Sequence, residues 1–144
     1  MKRKAERPQN RRMGGRKGAT IVEFALVFVL TITMVLGVFE LGRAIWVYNS
    51  LTHAAKQASR YAMVHGSRNP LDQAAKSVQD FAKQQAVGIP PDLISVTIAA
   101  VPDNSPGNEI SVTLQHTMNF VVAPLLGFDR TITLRGRSVK TIIN

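Results

Sequence analysis

The chain has 144 residues and a formal net charge of +9 at neutral pH, a size that allows one ordinary domain at most. The charge is concentrated at the N-terminus: eight basic residues and one acidic residue precede Gly18, whereas ten basic and eight acidic residues follow it. The basicity therefore belongs to a leader, which argues against a nucleic-acid-binding face. The absence of cysteine excludes disulfides and thiolate metal ligands but leaves the compartment open.

A strongly apolar segment follows the leader. Sixteen uncharged residues run from Phe24 to Phe39, and the apolar character continues beyond Glu40 and Arg43. Because about 20 apolar residues cross a bilayer, we expect a transmembrane span over about residues 21–46 of one helix over 19–65. Arg43 would extend its charge toward the headgroups, and the aromatic pair Trp46 and Tyr48 would lie at the interface. A buried core helix of a soluble protein is the less favoured alternative, since so small a domain has little to surround it.

The basic leader predicts the orientation of this span. Lysine and arginine beside a span are retained in the cytoplasm, so residues beyond the span should face outward. A cleaved secretory signal peptide fits less well, because "FELGRAIW" places large or charged residues where small ones are needed. Twin-arginine export at Arg11-Arg12 and a double-glycine leader at Gly14-Gly15 also lack their usual sequence context.

The segment "GATIVEFAL", which begins at Gly18, resembles a prepilin-peptidase site of type IV-like pilins. Its form is closest to the TadE-like pseudopilins of bacterial tight-adherence (Tad) pilus systems, and "FELGRAIWVYNSLTHAAKQASRYA" is similar to the segment after the span in that family. The resemblance covers about the first 65 residues. It implies that a prepilin peptidase removes residues 1–18 by cutting between Gly18 and Ala19, and that Glu23 and Phe24 take part in assembly.

The register of Glu23 supports this interpretation and gives the carboxylate a physical role. Only cleavage after Gly18 makes Glu23 the fifth residue of the mature chain. The new ammonium of Ala19 and the carboxylate of Glu23 would each be costly in the membrane, about 2.5–3.5 kcal/mol for charged residues at mid-span. Pairing them, on one chain or between subunits, offsets much of that cost. The alternative is that Glu23 only lies in the cytoplasmic headgroup layer.

Helical spacing continues past the span with a face of small residues. Leu51, Ala54, Ala55, Ala58 and Ala62 share this face, and His53, Lys56 and Arg60 lie away from it. The face could pack on the chain's own domain or on another subunit, and the sequence does not distinguish the two. Gly66 is the expected end of the helix.

Residues 66–144 predict a small α+β domain that lies outside the cytoplasm. Asn69-Pro70 precedes an amphipathic helix that ends by Gly88 and Pro90. Alternation then predicts about three antiparallel strands, over 93–101, 109–120 and 130–143. Gly136 suggests a bulge or bend in the last strand. The loop "VVAPLLGF", Val121–Phe128, is too short to span a membrane; it could touch the membrane surface, but packing in the core is favoured.

No sequence feature indicates catalysis or a cofactor. His53, His65 and His116 have neither the spacing nor the neighbouring carboxylates of a metal set. We therefore expect no enzyme, cofactor, metal or nucleic acid, and a peptidase substrate instead. The favoured function is a minor pilin of a Tad pilus in the bacterial inner membrane, acting with a prepilin peptidase, other pilins and the assembly platform in surface adherence. The alternative is an uncleaved single-pass protein whose outward domain scaffolds a secretion apparatus.

Overall fold

A computed structural model of the chain describes residues 14–65, 71–101 and 105–143, with side chains described over 18–64, 75–100 and 105–143. Helix α1 covers Gly14–His65 and helix α2 covers Leu71–Gln85. Strands β1, β2 and β3 cover Ile94–Val101, Glu109–Asn119 and Thr131–Thr141. This is the predicted α+β architecture: a long apolar helix followed by one short helix and three antiparallel strands. The leader up to residue 13, Gly66, Asn69 and Pro70 lie outside the described residues.

The three strands form one antiparallel sheet in the order β1-β2-β3. Pairing is continuous from Ile94 opposite His116 to Val101 opposite Glu109, and from Glu109 opposite Thr141 to Asn119 opposite Thr131. Strict alternation puts one side of β2 into the core and the other outward. A bulge at Gly136 is therefore wrong, because Gly136 pairs in register with Leu114.

The core lies between the inner face of the sheet and helix α1. The predicted small face of α1 is completely buried within the chain's own domain, and this decides between the two alternatives left open for it. A Cβ atom on Gly136 would lie 2.5 Å from the backbone carbonyl of Leu51, so glycine allows β3 to approach the helix backbone. Deeper along the same contact, the hydroxyls of Ser59 and Ser138 lie 2.9 Å apart.

Helix α2 and the segment after it pack against α1 and contact strand β1, so they contribute to the same core. Tyr61 stacks on Phe81, with ring centroids 4.7 Å apart, and Ser50 Oγ donates to the carbonyl of Val87. Gly88 has φ +77°, and a Cβ there would lie 2.0 Å from the ring of Trp46. Only glycine therefore suits the turn that carries the chain from α2 toward β1.

The chain divides into two units, Met1–Leu36 and Gly37–Asn144. We call residues 18–36 of α1 the exposed stretch, because its side chains lie on the surface, and residues 47–62 the packed stretch, because its small face is buried. Residues 121–128, between β2 and β3, are called the apolar loop. Core packing predicted for this loop is wrong for most of it: Val122 is buried and Ala123 half-buried, whereas Val121, Leu125, Leu126 and Phe128 are exposed.

Candidate functional site

The residues of the predicted processing motif lie on the surface of the first unit. Gly18, Ala19, Glu23 and Phe24 are all exposed in helix α1, and Phe24 stacks on Phe28 with ring centroids 6.1 Å apart. Ala19 and Glu23 are four residues apart in one helix and so share a face. A Cβ atom at Gly18 would meet no atom within 4 Å. The packing of the described residues therefore gives no reason for glycine at this position.

The exposed stretch consists mainly of large apolar side chains. Phe24, Leu30 and Met34 are 69%, 70% and 74% exposed. Two of its polar side chains have partners within the helix: Thr31 Oγ1 donates to the carbonyl of Val27, and Thr33 Oγ1 donates to that of Val29, each at 2.8 Å. The helix has 47 residues over Gly18–Val64, and the mean hydropathy of its most apolar 18 residues is 2.5. A helix of this length and composition can cross a membrane. It is the one such helix among the described residues.

The residues predicted for the membrane interface differ in their surroundings. Arg43 is exposed, and Tyr48 is about half exposed. Trp46 is 48% exposed, but the inner edge of its ring lies against Gly88. One side of the ring is therefore exposed, and the other side packs against the turn after α2.

Glu40 is the functional candidate that sequence reasoning missed. Its Oε1 accepts a hydrogen bond from the backbone N–H of Val121, and its Oε2 accepts one from Val122 at 3.1 Å. The carboxylate thus fixes the start of the apolar loop to the helix that carries the candidate span. A charged residue within an apolar helix signals the need for a partner, but the partners are 81 and 82 residues away in sequence.

An open cleft of about 500 Å³ lies beside this contact. Helix residues Gly37, Glu40 and Leu41 form one wall, and residues from Phe120 to Ile132 form the other. Apart from Glu40, Asp129 and Thr131, its lining side chains are apolar. The second unit therefore has an apolar surface next to the helix residues that follow the exposed stretch.

The histidines form no metal centre in the described part of the chain. His53 is exposed, whereas His116 is buried with Nδ1 3.0 Å from the carbonyl oxygen of Leu93. The side chain of His65 lies outside the described residues. No group of three or more His, Asp or Glu residues that could hold a metal ion occurs among the described residues, and every buried side-chain polar atom there has a partner.

A family comparison covers the helix that contains these features. Residues 18–60 match the family model of TadE-like proteins. The match confirms the resemblance predicted from the sequence, and the TadE-like segment begins at Gly18 and includes Glu23, Glu40 and Arg43. This similarity suggests a membrane protein associated with a Tad-type pilus, and the one candidate membrane helix among the described residues fits a single-pass protein. Comparison with curated proteins and with solved structures finds no match.

Proposed function

We propose that the chain is a minor pilin, or pseudopilin, of a Tad-type pilus, that a prepilin peptidase processes it, and that it acts in pilus assembly and surface adherence. The observation that carries the proposal is the register of Gly18 and Glu23 inside the TadE-like segment. Cutting after Gly18 gives a mature chain that begins at Ala19 and has Glu23 as its fifth residue. In this role the chain is a substrate and a structural subunit, not an enzyme.

The surroundings of Gly18 and Glu23 are compatible with these two roles. Gly18 lies in open space, so a peptidase could approach its backbone without displacing packed side chains. Once Ala19 becomes the N-terminus, Glu23 lies one helical turn from the ammonium, where a carboxylate also interacts favourably with the positive end of the helix dipole. The same carboxylate could pair with the ammonium of a neighbouring subunit.

The proposed topology places the leader in the cytoplasm and residues 66–144 in the periplasm. The net charge of +7 before Gly18 is the reason for this orientation. A periplasm-active reporter enzyme fused after Asn144 should be active, and the same reporter fused within the leader should be inactive. The reverse pattern would contradict the topology.

Processing is tested by coexpressing the full chain with a prepilin peptidase and sequencing the N-terminus of the membrane-bound product. We expect the product to begin at Ala19. Gly18→Leu should block cleavage, because a bulky side chain prevents close approach to the backbone. Gly37→Leu is the matched control, since a Cβ at Gly37 also meets nothing within 4 Å, and it should be cleaved normally. A product that begins at Met1 in the presence of active peptidase would favour the uncleaved scaffold instead.

A further inference from the structure

The apolar loop presents large side chains outward although its backbone is firmly attached to the domain. Val121, Leu125, Leu126 and Phe128 are 61–73% exposed, while the neighbouring Phe120 and Val122 are buried and belong to the domain interior. Soluble proteins rarely leave such a contiguous apolar cluster in water unless it meets a partner or a membrane. The loop therefore requires an occupant for its outer surface.

Five backbone N–H groups of the loop have hydrogen-bond acceptors. Phe120 donates to the carbonyl of Arg130, and Val121 and Val122 donate to Glu40. Further along, N–H groups bond to loop carbonyls: Leu125 to Val122, Gly127 to Pro124 and Phe128 to Ala123. Pro124 has no N–H to satisfy. Non-helical backbone can enter the nonpolar part of a bilayer only when its polar groups have such partners.

Glu40 joins the loop to the helix residues at the outer end of the candidate span. A helix segment of about 20 residues crosses the hydrocarbon layer, and one that starts at Phe24 reaches Arg43. Glu40 thus lies within one turn of the outer end of such a span. Leu41 is 61% exposed and lines the cleft beside the loop, so its apolar surface continues that of the loop.

We propose that the apolar loop inserts into the outer leaflet of the membrane and forms a second membrane contact of the domain. The occupant is the acyl region of the lipids, which would surround Leu125, Leu126 and Phe128 and enter the cleft between the loop and helix residues 37–41. The inference rests on the membrane span proposed above. Glu40 acts as a positioning residue, because it holds the loop at the level of the leaflet. Its carboxylate also replaces water as the hydrogen-bond acceptor of two backbone N–H groups.

Charged residues next to the loop fit this placement. Asp129 and Arg130 are exposed directly after Phe128, where the chain returns toward strand β3. Arg43 is exposed one helical turn beyond Glu40. These side chains can reach the headgroups while the loop tip is among acyl chains, as long charged side chains do at membrane surfaces.

Single-cysteine labelling tests the inference, because the native chain contains no cysteine. The full chain, carrying an environment-sensitive fluorophore on a cysteine at one position, is reconstituted into vesicles of phosphatidylethanolamine and phosphatidylglycerol. Some of the lipids carry a nitroxide quencher, either on an upper carbon of the acyl chain or at mid-chain. Leu125→Cys reports on the loop, and Leu30→Cys reports on the proposed span.

Ile143→Cys is the matched control for the loop. Ile143 is 72% exposed and Leu125 is 73% exposed, but Ile143 follows the end of β3 that is opposite to the loop. We expect the Leu125 label to be quenched by the nitroxide on the upper acyl chain, the Leu30 label by the nitroxide at mid-chain, and the Ile143 label by neither. Adding Glu40→Ala to Leu125→Cys should lower quenching at the loop roughly twofold, because the loop loses its two bonds to the helix.

The outcomes separate the inference from the proposed function. Quenching at Leu30 with a Leu125 label that behaves like the Ile143 label would overturn membrane insertion of the loop and leave the span intact. A Leu125 label whose emission is shifted to the blue but is not quenched would also overturn it, since a second copy or another protein would then cover the loop. An unquenched Leu30 label would contradict the span itself, and with it the premise of the inference.

Discussion

The exposed stretch and the packed stretch belong to one helix, but the exposed stretch has large apolar side chains on its surface and the packed stretch has small side chains at most of its buried positions. In the exposed stretch the large residues are on the surface, with Leu30 and Phe24 about 70% exposed. In the packed stretch the buried positions are mostly alanine, and Ala54 and Ala58 are completely buried. A protein dissolved in water normally shows the reverse, because each large apolar side chain that leaves water contributes about 1.5–3 kcal/mol.

This difference is the one expected of a helix that has two different surroundings. Small residues on both sides of this contact, alanines in the packed stretch and Gly136 in β3, let the sheet approach the helix backbone closely. Large residues in the exposed stretch have no partner among the side chains of the described residues that would bury them, and acyl chains are the natural solvent for such a surface. Paired substitutions, one in each stretch, test whether the two stretches have different surroundings.

The largest loss of domain stability is expected for a substitution of Gly136. In Gly136→Ala the new Cβ would lie 2.5 Å from the backbone of Leu51, so helix and sheet must separate. We expect a loss of at least about 3 kcal/mol in the free energy of unfolding of the domain, at or above the upper end of overpacking effects. Gly37→Ala, where a Cβ meets nothing within 4 Å, should leave it unchanged.

Urea denaturation of the detergent-solubilised chain, followed by protease resistance of the domain, measures both glycine variants. Equal stability of the two variants would show that β3 does not depend on close approach to the helix. It would also remove the explanation given for the small residues of the packed stretch.

A pair of leucines gives the next largest effect. Leu51 is completely buried, whereas Leu30 is 70% exposed. Leu51→Ala should destabilise the domain by about 2–5 kcal/mol because it leaves a cavity in the core. Leu30→Ala should leave domain stability unchanged and only weaken membrane insertion, which a carbonate extraction of membranes can measure. A destabilised domain in Leu30→Ala would contradict the division of the helix.

Sequence patterns predicted much of the packed stretch and little of the contacts around Glu40. The alanine face and the alternation of β2 are local patterns, and the structure buries the expected side of each. The partners of Glu40 and the role of Gly136 depend on contacts between distant segments, which no local period encodes. The composition of the apolar loop predicts that its side chains avoid water. It does not predict whether the protein core, a membrane or another protein surrounds them, so the expected packing in the core is wrong for most of the loop.

Substitutions of the two carboxylates of the apolar helix should have the smallest effects, and each effect should be confined to one property. Glu40→Ala removes the acceptor of the Val121 and Val122 N–H groups, so we expect about 1–3 kcal/mol of local destabilisation of the loop. Hydrogen exchange measured on peptides that cover the apolar loop should become faster. Glu40→Gln, which keeps one acceptor oxygen, should have a smaller effect.

Glu23→Ala should have the complementary phenotype. Glu23 is exposed in the first unit, so hydrogen exchange in the apolar loop and cleavage after Gly18 should both stay normal. The loss should appear in crosslinking of the processed chain to other pilus components and in surface adherence, because the ammonium of Ala19 loses its partner. Normal assembly of Glu23→Ala and Glu23→Gln would show that this carboxylate only lies among headgroups.

The contact between Trp46 and Gly88 makes the intrinsic fluorescence of the protein a probe of the turn after α2. Trp46 is the single tryptophan of the chain, and its ring touches the turn after α2 while remaining about half exposed. Tryptophan emission excited selectively at long wavelength therefore originates at one known place, where the apolar helix meets the domain. Detachment of the turn would uncover the whole ring and shift the emission to the red, so unfolding of the domain in native vesicles can be followed without any label.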